Sequence, residues 1–470
     1  MFRLEFNIYR SIILDRYSVC ITISILISIE VIIKVILFVT FIFCLSCQFG
    51  QESNINTEKL DKFFAVLENK KVVSGSAILV KDGKSIYNKN YNFDKNNKNP
   101  IYRIGSVSKI YTAAIILKLE EEGKLKLSDK LSLYYPKIDK ADKITIEDLL
   151  RHRSGIPNMT DLADYKEYSQ TPQSESQMME RFYRYQLEFM PGEKYEYSNT
   201  GYVILSYIAQ KAGNDTYANL LTSYIVKPLS LQETFVYDAK SCRSNEVTSY
   251  FKRTNWEEAT NTHQSVPLGA GAIASTPLEV ATFLRGLFRE KIINSSSLKK
   301  MKEFIGEGEY GLGLMKFPYA DKYFFGHTGG VDGYASIAAY NIEDDIAMVS
   351  LTNALAFNFN DISLTLLAGF YGDDFDIPVI QESILVKKEI LDLYNGTYGS
   401  NDFPIKLTFR NEDGVLLGEA SSDAQNEIPF EAFSNTIFKF QRAHIKLEFK
   451  DNGEILIFTQ GEEFTLKKLN

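Results

Sequence analysis

Hydrophobic and polar positions divide this chain into stretches of different period. Two apolar runs come first, Val19–Ile29 and the stretch VILFVTFIFCLSCQ, separated by Glu30 and Lys34. The polar segment GQESNINTEKLDK follows and leads into a helix near Thr57–Glu68. SGSAILVKDGKSIYNKNYNFD alternates on both sides of Asp82-Gly83, the signature of a β-hairpin. Ser106 to Glu122 is rich in Ala, Ile, Leu, Glu and Lys and ends at Gly123, which predicts a helix. Its segment IYTAAIILKL is apolar nearly all round, so this helix is expected inside the fold. A mostly helical region follows, with loops rich in Gly, Pro, Asn and Ser at Ser154–Asn158 and Pro191–Asn199. From about Tyr323 the period turns to that of strands, YFFGHTGG, YASIAAYN and DIAMVSLTN, with Asp344-Asp345 between the last two. A helix near Ile362–Tyr371 closes this part.

An early hairpin and a late one can pair in a single antiparallel sheet, which makes the helical middle an inserted subdomain. This is α+β layering with a cleft between two lobes. After Gly372–Pro378 the composition shifts to short alternating strands, YNGTYGS, PIKLTFR, GVLLGEA, IFKFQ, HIKLEFK, EILIFTQ and EFTLKKL, with turn residues at Asn411–Gly414 and Asp451–Gly453. Strands at that spacing suggest a small antiparallel barrel or sandwich. The expected division is a targeting segment 1–47, a tether 48–57, a main domain 58–375, a linker 376–383 and a β-rich domain 384–470.

Composition narrows the function. Among 470 residues, 45% are hydrophobic and 13% aromatic, enough for a sizeable core. A net charge of −8 provides no basic stripe for nucleic acid. The chain contains no G-x-x-x-x-G-K-[ST] loop and no H-E-x-x-H. Four cysteines (Cys20, Cys44, Cys47, Cys242) and four scattered histidines argue against a disulfide framework or a structural zinc site, and no cofactor or metal is expected. The second apolar run follows a lysine and ends with a small residue before Cys47. It resembles a bacterial lipoprotein signal, with lipid on Cys47; the alternative is an uncleaved membrane anchor, although Glu30 and Lys34 would be costly in mid-bilayer. Either reading makes the protein exported, periplasmic or at the cell surface.

The chemistry turns on RIGSVSKIYTAA. Residues three apart on a helix share a face, so Ser106 can be a nucleophile with Lys109 as its base. At a helix start the backbone N–H groups favour developing negative charge. A lysine in a water-poor cleft has a lowered pKa and can take the serine proton. The same spacing also occurs at Ser249/Lys252, Ser296/Lys299 and Ser297/Lys300, so downstream residues must decide. In MPGEKYEYSNTGY, Tyr197 near a cation could ionise in part and shuttle protons, and the Asn199 amide could hold both a substrate carbonyl and the lysine. Tyr217/Asn219 has the same spacing but reads as surface helix. In FFGHTGGVDGYAS, the glycines behind His327 allow close backbone approach, and a strand edge there can bind an extended peptide-like substrate. The N–H of Gly330 could pair with that of Ser106 as an oxyanion hole.

These three motifs, in this order, resemble the serine β-lactamase / penicillin-binding protein superfamily, and more narrowly its class C β-lactamase and DD-carboxypeptidase/esterase branch, peptidase family S12. ITIEDLLRHRSGIP, GAGAIASTPLEVATFL and YGLGLM add to the likeness, which spans roughly residues 60–375. The late strands resemble a lipocalin-like domain. The resemblance implies Ser106 as acylated nucleophile, Lys109 as its base and Tyr197 as proton relay. It implies Asn199, His327, Thr328 and Gly329 as substrate-binding residues. His327 stands where the β-lactamases have lysine, and a mostly neutral imidazole weakens carboxylate recognition. That favours a peptidase or esterase acting on a peptidoglycan stem peptide or an ester over an efficient β-lactamase; a penicillin or cell-wall fragment sensor is the non-catalytic alternative.

Overall fold

The computed structural model describes residues 55–240, 243–306, 310–421, 423–459 and 461–469. The predicted targeting segment, the lipidation site at Cys47, most of the tether and all four cysteines lie outside the described residues. No helix among the described residues is long and apolar enough to cross a membrane.

Helix α1 (Thr57–Asn69) starts at Asn56, whose side chain accepts from the Lys59 N–H, and buries Leu60, Phe63, Phe64 and Leu67. The hairpin β1 (Val73–Lys81) and β2 (Lys84–Asn90) turns at Asp82-Gly83, both at positive φ. The core helix α2 (Ser108–Glu121) has eleven fully or nearly fully buried positions. α3 (Asn199–Gly213) packs with it, and α4 (Pro277–Phe288) meets it where Phe283 stacks on Tyr111. Four late strands follow: β3 (Met315–Tyr319), β4 (Lys322–Val331), β5 (Tyr334–Asn341) and β6 (Ile346–Leu355). α5 (Phe359–Tyr371) ends at Gly372 in the left-handed conformation.

The main sheet runs β2-β1-β6-β5-β4-β3, and the short strands Tyr250–Lys252 and Trp256–Glu258 join it at β6. β1 lies antiparallel to β6, from Val73 opposite Leu355 to Lys81 opposite Ile346. The early and late hairpins therefore form one sheet, as their alternation implies. All ten positions of β6 are buried, because α4 covers one face and α5 the other. Strand structure begins earlier than Tyr323. β3 carries Pro318, which discourages a strand reading, but β3 is an edge strand and tolerates it. Tyr217 is not a surface residue: it is 1% exposed and its hydroxyl lies 2.6 Å from Thr112 Oγ1.

Eight strands between Gly396 and Lys468 close into an antiparallel barrel. One of them, Asp423–Ala432, is polar, contains Pro429 and escaped the alternation pattern. Phe409, Phe438 and Phe449 meet edge to face among the buried side chains. The barrel meets the preceding residues through Arg253–Glu412 (3.3 Å), His444–Asp361 (3.1 Å) and Asn358 Nδ2 donating to the Arg442 carbonyl (3.0 Å).

Candidate active site

Ser106 lies in a 3₁₀ turn, Gly105–Val107, just before α2, rather than in the α-helix itself. Gly105 has a φ of +51°, and a Cβ there would lie 2.8 Å from the Gly330 nitrogen. A Cβ on Gly329 would lie 2.3 Å from the Ile104 carbonyl oxygen and 3.0 Å from the Ser106 nitrogen. The nucleophile turn is thus seated directly on the backbone of β4. Ser336 Oγ donates to the Ile104 carbonyl at 2.8 Å and holds the same turn from β5.

Lys109, one turn further, is 0% exposed. Its Nζ lies 2.9 Å from Ser106 Oγ, 2.7 Å from Asn199 Oδ1 and 2.9 Å from the Ala270 carbonyl oxygen. Burial pushes its ammonium well below the usual lysine range. A neutral amine has two donors and one acceptor. The two carbonyl oxygens can only accept, so they take the donors, and the lone pair is left for the Ser106 hydroxyl proton. Asn199 is the first residue of α3, with its backbone N–H on Asn158 Oδ1 (2.9 Å) and its Nδ2 on Thr160 Oγ1 (3.3 Å). Those two bonds orient the amide oxygen toward the lysine.

Tyr197 donates its hydroxyl to Ser106 Oγ at 2.9 Å, and its ring centroid is 4.9 Å from Lys109 Nζ. The expectation of a partly ionised phenol does not hold. Burial raises its pKa, so the resting residue is a neutral donor. A proton chain therefore runs from Tyr197 through Ser106 to Lys109.

His327 is 1% exposed, and both ring nitrogens are engaged. Nδ1 donates to the Thr328 carbonyl, which fixes the tautomer, so Nε2 accepts from the Tyr310 hydroxyl at 2.9 Å. Burial pushes its pKa down to about 3. The neutral imidazole expected from sequence is present, but it holds Tyr310 rather than offering a donor to the cleft. Thr328 is exposed and turned toward Met315.

A residue not singled out for chemistry from the sequence completes the surroundings. His152, at positive φ, is 1% exposed and accepts the Ser198 N–H at Nδ1 (3.1 Å). Its ring packs against Tyr197, Tyr202 and Tyr310 at 4.3, 5.0 and 4.6 Å. It fixes the Tyr197-Ser198-Asn199 segment from behind. The only signal for it lay in the family-like text RHRSGIP. Beneath the cleft, Arg103 and Asp332 form a buried ion pair at 2.5 Å, and Asp332 also accepts from Thr262 N and Oγ1 (3.0 and 2.7 Å).

The remaining Ser-x-x-Lys pairs are structural. Ser249 Oγ accepts the Gly333 N–H (3.2 Å), and Lys252 donates to the Thr254 carbonyl. Ser297 is near the start of a helix, and Lys300 pairs with Glu120 at 2.9 Å. Ser296 and Lys299 are exposed. Ser106 opens, with Asn199 and Gly330, onto a cleft of about 420 Å³.

The Beta-lactamase family model matches residues 60–370, and the chain belongs to that family. Among curated relatives, "Protein flp" of Staphylococcus aureus (strain N315) is 26% identical over 321 residues, 64% of each chain. This chain thus spans about 64% of that relative's length. "Teichoic acid D-alanine hydrolase" of Staphylococcus aureus (strain MRSA252) is 25% identical over 61% of this chain and 74% of its own. Among solved structures, the D-amino acid amidase of Ochrobactrum anthropi SV3 complexed with D-phenylalanine superposes with a TM-score of 0.59 and 23% identity. It covers 67% of this chain and 99% of its own, a likeness of fold.

Proposed function

We infer that this protein is a serine hydrolase that passes through an acyl-enzyme on Ser106, acting on an amide or ester of a D-amino acid. The observation that carries the reading is the single hydroxyl shared by Lys109 Nζ and the Tyr197 hydroxyl, both at 2.9 Å. Neutral Lys109 takes the Oγ proton as the oxygen adds to the substrate carbonyl. The N–H groups of Ser106 and Gly330 receive the oxyanion. The phenol of Tyr197 protonates the leaving nitrogen or oxygen and is reprotonated from the lysine ammonium. Water then adds to the acyl carbonyl, gives its proton back through the same pair, and Ser106 leaves with a proton restored.

The strand register supports an extended substrate. β3 pairs with β4 only from Tyr319 opposite Lys322 to Met315 opposite Gly326, so the segment beyond Gly326 has an open edge on that side. The neutral His327 favours amides and esters over β-lactams, because no fixed charge stands there for a carboxylate. The D-amino acid preference rests on the two relatives named for D-alanine hydrolysis and D-amino acid amidase activity. We assign the chemistry to residues 58–375 and treat 384–470 as a separate β-rich domain. Export with lipid on Cys47 fits a relative named for a cell-wall polymer; loss of a fatty-acid label in Cys47→Ser would test it.

The test is intact mass after exposure to a penicillin or to a D-alanyl ester, with Ser106→Ala alongside. A mass gain, or ester turnover, in the parent protein alone supports the reading. Equal behaviour of both proteins overturns it.

A further inference from the structure

A second cavity, of about 900 Å³, lies between the barrel and the sheet. It shares Lys166, Phe251 and Thr260 with the nucleophile's cleft, so the two spaces adjoin. Phe251 at that junction is 44% exposed, an unusual place for a large aromatic side chain. The backbone provides a continuous route. β4 ends with Gly330 and Val331 at the cleft, the turn Asp332-Gly333 follows, and a Cβ on Gly333 would lie 2.6 Å from the Tyr250 carbonyl oxygen. The next residues, Phe251 and Lys252, line the larger cavity.

The far wall comes from the barrel, through Glu427, Glu431, Lys439, Phe440 and Arg442. Its acidic groups have partners within the fold. Glu427 is held by Arg410 at 2.5 Å, and Glu431 accepts from Gln441 Nε2 at 3.4 Å. Lys439 is bonded to neutral Gln381, and no carboxylate among the described residues lies within ion-pair distance of the Arg442 guanidinium, whose pKa is lowered by burial although the residue as a whole is exposed. On the opposite wall Arg253 is taken by Glu412, while Glu257 and Glu258 are exposed. The cavity thus offers, among the described residues, a guanidinium without an ion pair on one side and carboxylates on the other.

We propose that this cavity is a distal subsite for a long peptide substrate of mixed charge, whose acidic side chain is bound by Arg442 of the barrel. The proposal rests on the Ser106 reading and extends it. The cleft alone has room for the scissile bond and its immediate neighbours, and the adjoining space is of the size that takes several more residues. A planar guanidinium matches a carboxylate with two parallel hydrogen bonds.

The experiment compares p-nitrophenyl acetate with peptides of two, four and six residues ending in a D-alanine amide, the longest made with either Glu or Gln at its distal end. On the parent protein kcat/KM should rise with length and favour the Glu hexapeptide. Arg442→Ala should lower kcat/KM for that peptide about tenfold, to the level of the Gln peptide, and leave ester turnover unchanged. Arg442→Glu should lower it further. Rates independent of length, or an Arg442→Ala loss equal on all substrates, would overturn the subsite. Lack of both ester turnover and a Ser106 adduct would instead overturn the nucleophile assignment, and the subsite with it.

Discussion

Lys109 Nζ lies 2.7 Å from the amide oxygen of Asn199, and no carboxylate contacts this lysine among the described residues. Its basicity at neutral pH depends on that neutrality. Asn199→Asp changes one atom and places an anion beside the amine. The anion stabilises the ammonium and raises the lysine pKa, so the proton-accepting form appears only at higher pH. The acid limb of the kcat/KM profile should move upward, with a loss of about 10²-fold or more at pH 7. A pH–rate series on a D-alanyl ester checks it; an unshifted limb would remove Lys109 from the role of base.

Ser106→Ala should abolish turnover, by about 10³-fold or more, without altering the unfolding transition. Ser249→Ala should do the reverse. Its hydroxyl caps the Gly333 N–H in a buried setting, so its loss should cost about 1–3 kcal/mol of stability and little activity. Urea unfolding and ester hydrolysis, measured on both variants, separate the two roles.

His152 and His327 are both buried and held neutral, with pKa values pushed below the ordinary imidazole range. The unfolded chain therefore binds their protons first as pH falls below about 6.5. Stability is full above that value and declines below it, by about 1.4 kcal/mol per pH unit from each histidine, down to the folded value near 3 for His327. His327→Gln should remove one of these two contributions. Urea midpoints from pH 7.5 to 5.5, compared between parent and variant, measure the difference in slope.

Arg103 and Asp332 are 2% and 4% exposed, so each stabilises a charge that would otherwise be buried alone. Arg103→Met should cost about 3–5 kcal/mol, and the double variant Arg103→Met/Asp332→Asn should recover much of that loss. Denaturant unfolding of the two single variants and the double one provides the cycle.

Much of this fold could be read from alternation alone. The hairpin at Asp82-Gly83, the buried helix after Ser106 and the late strands all show a clear period and clear turn residues. The proline-bearing strands Met315–Tyr319 and Asp423–Ala432 carry no legible period, since an edge position or a barrel wall tolerates what a pattern forbids. At the site, residue types and order singled out Ser106, Lys109, Tyr197 and Asn199, and the structure brings these four together. Protonation states were harder to read. Tyr197 is neutral because of burial, and burial is a property of the whole fold. The role of His152 is not legible in the sequence because it contacts backbone and rings, and no local spacing records that.

The close approach of Gly105 to Gly330, and of Gly329 to Ile104, places the Ser106 turn on the same strand whose open edge would carry the substrate. Attacker and target are then surveyed from one benchmark. A displacement of that strand would carry both along together.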